Sequence, residues 1–263
     1  MKKPAAIVLI FLLFSVFAYG QTEDPSNPDV LIIPVDGNIG RSLTVFIRRS
    51  LEQADALNVE TVIIEMNTFG GLVESALQIA TLIGSTESQT VAYIPARAES
   101  TGVSWSAGAL ISFAADSIFM APGTSMGAAA PVITAGEKTV SAVRAQMAAL
   151  AEQNGYPKSV ALAMVDLDIE LVEVSIDGQT ELVDAADLEI MQEDAEEQGK
   201  SFKKGRIVSK EGKLLTLTAL EMEKYGISSG TPENRQDLFA MLELDNPSVL
   251  ETETSAPDDL VAL

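Results

Sequence analysis

Val30-Leu31-Ile32-Ile33-Pro34-Val35 is an apolar, largely β-branched run. Ser42 to Leu57 then carries apolar residues at helical spacing, and Thr61-Val62-Ile63-Ile64-Glu65-Met66 is β-rich again. A buried strand, an amphipathic helix and a second buried strand, in that order, predict a parallel crossover unit. The pattern continues downstream. Gly70-Gly71 opens a helix from about Leu72 to Ile83, Thr90 to Ile94 reads as a third strand, Ser106 to Ala115 as a helix and Ser117 to Met120 as a fourth strand. Strands separated by helices predict an α/β layered domain with helices covering the sheet.

Beyond this core the character changes. Lys138 to Asn154 reads as a long helix ended by Gly155, and Lys158 to Val165 as a shorter one. Ile169 to Ile176 alternates acidic and apolar residues before Asp177-Gly178, a turn pair that predicts a small hairpin. Asp184 to Lys204 is strongly polar and reads as a mobile surface segment. Thr218-Ala219-Leu220-Glu221 has capping-box spacing ahead of a helix ending at Gly226. After Pro247 the tail, Leu250 to Asp259 above all, has the acidity and low hydrophobicity of disorder.

At the other end, Lys2 and Lys3 precede an apolar run from Ala5 to Ala18 broken only by Ser15. Ala18 and Gly20 then lead into a polar stretch from Gln21 to Asp29. This is the layout of a secretory signal peptide, and the run is short of the ~20 apolar residues of a membrane span. Cleavage near Gly20–Gln21 would export the protein; retention of the segment as an uncleaved anchor is the alternative. The expected organisation is a signal peptide (1–20), a linker (21–28), a catalytic core (29–166), a region of hairpin, polar insert and closing helices (167–246), and an acidic disordered tail (247–263).

Composition excludes several chemistries. With 38 acidic and 17 basic residues among 263, and a formal charge of −21, the chain is poorly suited to nucleic acid, whose binding rests on clustered Lys and Arg. It has neither Cys nor His. Disulfides, thiolate nucleophiles, thiolate zinc sites and imidazole bases are therefore absent, and no metal or other cofactor is expected.

Three local features could build a hydrolytic site without histidine. Asn67-Thr68-Phe69-Gly70-Gly71 lies where a strand gives way to a helix, and glycines there let backbone amides approach a developing oxyanion. Strand-to-helix turns also use glycine for geometry alone. Ser106-Ala107-Gly108 places a hydroxyl among small residues at a helix start, which suits a nucleophile and equally suits an N-cap. Ser104 is a rival nucleophile, and the GxSxG elbow of α/β-hydrolases is absent. Lys138 opens a helix. An amine takes up a proton only when neutral, a form favoured by burial and by a helix N-terminus and opposed by a neighbour such as Glu137; a solvated surface lysine is the plainer reading. Between Val59 and Gly199 the only other basic residues are Arg97, Arg144 and Lys158.

Taken in order, Thr68-Phe69-Gly70-Gly71-Leu72-Val73, Ser106-Ala107-Gly108-Ala109-Leu110-Ile111 and the run Met120-Ala121-Pro122-Gly123 through Val132 resemble the NfeD-type membrane-associated serine peptidases of the ClpP/crotonase fold. The family signature is a threonine-proline-glycine-glycine turn, a serine-alanine-glycine nucleophile and a methionine-alanine-proline-glycine strand end. The resemblance covers about Val30 to Val165, and Leu214 to Gly226 is similar to the family's closing helix. Ile169 to Lys210 has the weakest counterpart. Phe69 stands where the family usually has proline.

The resemblance implies a ClpP/crotonase-like layered fold with a small C-terminal hairpin and helix appendage. It implies Ser106 as nucleophile, Lys138 as general base, the amides of Gly71 and Ala107 as oxyanion hole, and Phe69, Gly70 and Leu72 as substrate-binding residues. Lys138 takes its role because the family's lysine opens a helix whose later alanine and glycine fall here at Ala151 and Gly155. The implied activity is cleavage of hydrophobic, flexible polypeptide segments, with the tails of stomatin-like membrane proteins as candidate substrates. Many relatives continue into transmembrane helices and a β-barrel that do not follow here, so the expectation is a soluble or peripherally attached exported protein, associated with the membrane surface and self-assembling as a homo-oligomer. A catalytically silent peptide-binding adaptor of the same fold is the main alternative. An acyl-CoA enzyme of the crotonase type is a further one, disfavoured by export and by negative charge facing a polyanionic ligand.

Overall fold

The expected alternation is present in a computed structural model that describes residues 27–131 and 136–254. The chain runs through β1 (Val30–Ile39), α1 (Arg41–Leu57), β2 (Thr61–Gly71), α2 (Val73–Ile83), β3 (Gln89–Ile94), β4 (Val103–Trp105), α3 (Ala107–Phe113), β5 (Ser117–Met120), β6 (Ser125–Gly127), α4 (Glu137–Asn154) and α5 (Lys158–Ala163). An appendage follows with β7 (Leu171–Ile176), β8 (Gln179–Asp184), α6 (Leu188–Glu197) and β9 (Phe202–Ser209). The chain then returns through β10 (Thr216–Thr218), α7 (Ala219–Lys224), α8 (Arg235–Met241) and β11 (Val249–Glu251). The signal segment expected over 1–20, and most of the linker, lie outside the described residues. No helix among the described residues is long and apolar enough to cross a membrane.

β1 and β2 are the centre of the sheet because both of their faces are apolar. Leu31, Ile33, Val62 and Ile64 pack under the helices on one face, while Val30, Ile32 and Ile63 meet Val91, Tyr93, Phe119 and Leu238 on the other. Strands buried on both faces read as continuous hydrophobic runs, as these do. Burying each such side chain contributes about 1.5–3 kcal/mol. α1 turns Leu43, Phe46, Ile47, Leu51 and Ala54 inward, a single helical face, and stops where Asn58 takes a left-handed conformation.

The curl of the sheet is what makes a site. β2 pairs in parallel with β1 along its length, but on its other edge it changes partner. Thr61–Glu65 pair with β3, whereas Thr68 pairs with Ser104 of β4. From there the sheet continues through β6 to β10, the one antiparallel neighbour in this part. A register shift between Asp36 and Asn38, with Gly37 at φ 81°, bends β1 opposite the end of β2.

Two expectations are corrected. The polar stretch Asp184 to Lys204 is structured rather than mobile: Asp184 caps a short turn by accepting from the Ala186 amide, α6 follows, and Phe202–Lys204 pair with β7. Its hydrophobicity is low because one strand pairing and a single buried alanine, Ala195, are all it contributes to the interior. The acidic tail is also structured in part, since β11 pairs with β1 and the Thr252 amide donates to Ile32 O. Glu251 is held by Arg235, which also grips the buried Glu65 of β2. The Arg235 guanidinium keeps the Glu251 carboxyl below its ordinary range. Residues 255–263 lie outside the described residues. The Asp177-Gly178 hairpin and the Thr218–Glu221 capping box are both present.

Candidate active site

Ser106 is the hinge between β4 and α3, and its backbone is the least relaxed feature of the site. It sits at φ 54°, ψ −119°, a conformation that a side-chain-bearing residue adopts at a cost of about 1–3 kcal/mol and that persists only where surroundings impose it. The imposing contacts are identifiable. Its amide donates to Gly127 O at 2.9 Å, fixing it to β6, and its carbonyl accepts from Ala109 and Leu110 as the first turn of α3. A Cβ at Gly108 would stand 2.6 Å from Thr68 Cγ2 and 2.8 Å from Ser104 Oγ, so only glycine lets α3 start this close to β2. The Ser106 hydroxyl makes no capping bond, contrary to the N-cap reading. The rival Ser104 is fully buried and hydrogen-bonded to Ser112 Oγ at 3.0 Å.

The Gly70-Gly71 turn presses against this serine. A Cβ at Gly70 would lie 2.6 Å from Ser106 Cβ, 3.0 Å from its Oγ and 3.4 Å from the Ala107 nitrogen, and Gly70 has φ 116°. A Cβ at Gly71 would collide with the backbone of Ile39. Thr68 holds the turn: its hydroxyl donates to Gly37 O at 2.6 Å and accepts from the Gly70 amide at 3.0 Å. The Leu72 amide donates to Ile39 O at 2.7 Å. Successive N–H groups of an extended chain point to opposite sides, so the Gly71 N–H is directed away from β1, toward the side of β4 and Ser106. The Ala107 N–H belongs to the first turn of α3 and has no intrahelical acceptor. Two amides thus flank one exposed hydroxyl, an arrangement suited to an oxyanion.

Phe69 and Leu72 flank the glycines and are 62% and 52% exposed, unusual for large apolar side chains. Phe69 meets Trp105 edge to face, with ring centroids 5.5 Å apart, and Trp105 Nε1 donates to Ser125 Oγ at 3.0 Å. Trp105 was not among the residues the sequence singled out. Its place next to Ser106 was visible, but its pairing with Phe69 depends on β2 and β4 lying side by side.

Lys138 is not part of this cluster of contacts. It is the second residue of α4, exposed, and among the described residues it makes no hydrogen bond or ion pair, with Ser106 or any other group. The body of α4 is anchored by Val143, Met147, Leu150 and Ala151. Nearby carboxylates are engaged: Glu65 is buried between Arg97 and Arg235, and Asp36 accepts from Asn67. No trio of Asp and Glu side chains among the described residues is placed to hold a metal ion.

Against known proteins, the NfeD1b N-terminal domain family matches residues 29–197. Membrane protein NfeD1b of Bacillus subtilis (strain 168) is 34% identical over 249 residues, which is 93% of this chain and 48% of that protein. The chain therefore spans about half the length of this relative. Among solved structures, the 1510-N membrane-bound stomatin-specific protease of Pyrococcus horikoshii superposes with a TM-score of 0.63 at 19% identity, over 87% of this chain and 99% of that one. ClpP1 from Listeria monocytogenes superposes with a TM-score of 0.50 at 18% identity, over 79% and 94%. At these identities the likeness is one of fold, and that fold is ClpP-like.

Proposed function

The chain belongs to the NfeD1b family through its N-terminal domain, and from that membership we propose that it is a serine peptidase working with a Ser106–Lys138 dyad. The observation that carries this reading is Ser106 itself: a strained, uncapped serine pressed against Gly70, with the Ala107 and Gly71 amides beside its hydroxyl. In the proposed reaction neutral Lys138 takes the Ser106 proton as Oγ attacks a peptide carbonyl. The oxyanion is held by the amides of Gly71 and Ala107. Lys138, now an ammonium, protonates the leaving amine; it then takes a proton from the water that hydrolyses the acyl-enzyme. Because Lys138 is exposed in the peptide-free chain, a bound substrate has to cover the head of α4 and strip water from the amine.

Phe69 and Leu72 offer apolar surface beside the scissile bond, which supports hydrophobic, flexible segments as substrates. The protease of similar fold is specific for stomatin, and a stomatin-like membrane-protein tail is the corresponding proposal here. Export through residues 1–20, association with a membrane surface and homo-oligomer formation complete the reading. A fluorophosphonate probe tests its core: the wild type should be labelled at Ser106 and Ser106→Ala should not. A folded wild type that resists labelling, with and without detergent, sinks it. The exposure of Lys138 favours one second reading, a catalytically silent peptide-binding adaptor, for which Ser106→Ala and Lys138→Met would leave partner binding unchanged.

A further inference from the structure

We propose that the β9 strand and its two flanking turns form a docking surface for anionic phospholipid headgroups. In a chain with 38 acidic and 17 basic residues, Lys200, Lys203, Lys204, Arg206, Lys210 and Lys213 fall within one short stretch whose only acidic member is Glu211. Arg206 is paired with Glu173 and Glu221. The five lysines are exposed, and among the described residues none has an ion-pair or side-chain hydrogen-bond partner. β9 is an edge strand, in the order β8-β7-β9, so its outer side is open.

Lysines on a sheet edge also discourage unwanted strand addition. That explanation reaches Lys203 and Lys204 but not Lys200, Lys210 and Lys213, which lie in the turns at either end of β9 and protect no edge. Apolar surface accompanies the charge. Ile207 is exposed on β9, and exposed Leu167 is tied through its carbonyl to the Gly212 amide, in the turn that carries Lys213. Flexible ammonium groups around isolated exposed apolar side chains fit an interface of phosphates over hydrocarbon better than they fit an acidic peptide strand. The rest of the molecule is strongly acidic and would be repelled by the same surface, so this face alone would point toward it.

Docking here would also fix the site. The chain leaves β9 for β10 through Leu215, whose carbonyl accepts from Ala128, and β10 pairs with β6, whose Gly127 carbonyl holds the Ser106 amide. The orientation of the basic face therefore sets the orientation of Ser106.

The test is flotation of the full chain with vesicles of phosphatidylcholine alone and of phosphatidylcholine containing roughly one-third phosphatidylglycerol. The expected result is preferential binding to the anionic vesicles, abolished by salt near 1 M, where charges more than about 3 Å apart are screened. Each lysine near such a surface is worth about fivefold in affinity, so a Lys203→Gln/Lys204→Gln/Lys210→Gln/Lys213→Gln variant should bind roughly a hundredfold more weakly. The Ser106→Ala variant should bind as the wild type does, which separates this proposal from the peptidase reading. Equal binding to both vesicle types, as an inserted N-terminal segment alone would give, overturns the proposal. So does full binding by the four-lysine variant, or lysine-dependent capture of polyglutamate without any vesicle preference.

Discussion

The turn that carries Ser106 and the helix head that carries Lys138 differ in how tightly the fold holds them. Around Ser106 nearly every backbone group is committed: its amide to Gly127, its carbonyl to Ala109 and Leu110, the facing glycine to Thr68, and Thr68 to Gly37. The first turn of α4 is exposed on both sides of Lys138, and its burial begins only at Val143. The nucleophile and oxyanion amides are thus stored in the peptide-free fold, whereas the base must be completed by something that covers α4. Preorganised donors lose no free energy to reorganisation when the reaction occurs, while an exposed amine has water to shed first.

That contrast can be broken first at the lysine. Under the dyad reading Lys138→Met should lower the rate of Ser106 acylation about 10²–10⁴-fold while shifting stability by no more than about 0.5 kcal/mol, as expected of an exposed residue. Probe labelling kinetics and thermal melts on the same sample check both parts; unchanged acylation would leave Lys138 a surface residue. The stored side should respond differently. Gly70→Ala introduces a Cβ against Ser106 at a positive φ. Acylation should fall about 10²–10³-fold, and here the melting temperature should fall as well.

Phe69→Ala sharpens the comparison at the substrate end. It removes an aromatic contact worth about 0.5–1.5 kcal/mol, so KM for an apolar peptide should rise about two- to tenfold with kcat nearly constant. The smallest effect belongs to the appendage, where Lys224 and Tyr225 hydrogen-bond to Glu173 and hold its carboxyl below the ordinary 4.5. A depressed carboxylate stabilises the fold fully above its unfolded value, and that stabilisation is lost as pH falls through the folded one. Glu173→Gln should therefore narrow the difference between melting temperatures measured at neutral pH and near pH 3, with no effect on acylation at neutral pH.

The legibility of these regions followed the length of the pattern that encodes them. β1, α1 and β2 could be read because period and burial repeat over many residues. β4, β6, β10 and β11 are three residues each. Nothing in so short a run distinguishes strand from loop, and they exist because neighbouring strands pair with them. Asp184 to Lys204 misled for a related reason, since a helix and edge strand on a small sheet need few apolar residues. Ser106 was ambiguous because an N-cap and a strained turn into a helix favour the same small residues. Trp105 went unremarked because its ring partner is on another strand.

The sequence by itself determined the alternation of buried strands and amphipathic helices, the absence of imidazole and thiolate chemistry, and the glycine and serine positions available to build a site. These are properties of residue identity and local periodicity, which neighbours along the chain encode. Only the tertiary structure decided that β2 changes partner at Thr68, that Ser106 is driven to a positive φ instead of capping its helix, and that Gly70 faces its hydroxyl while Lys138 faces solvent. Those outcomes depend on the approach of segments distant in sequence. Close packing and hydrogen-bond satisfaction set that approach across the whole core, and no local window of the chain contains it.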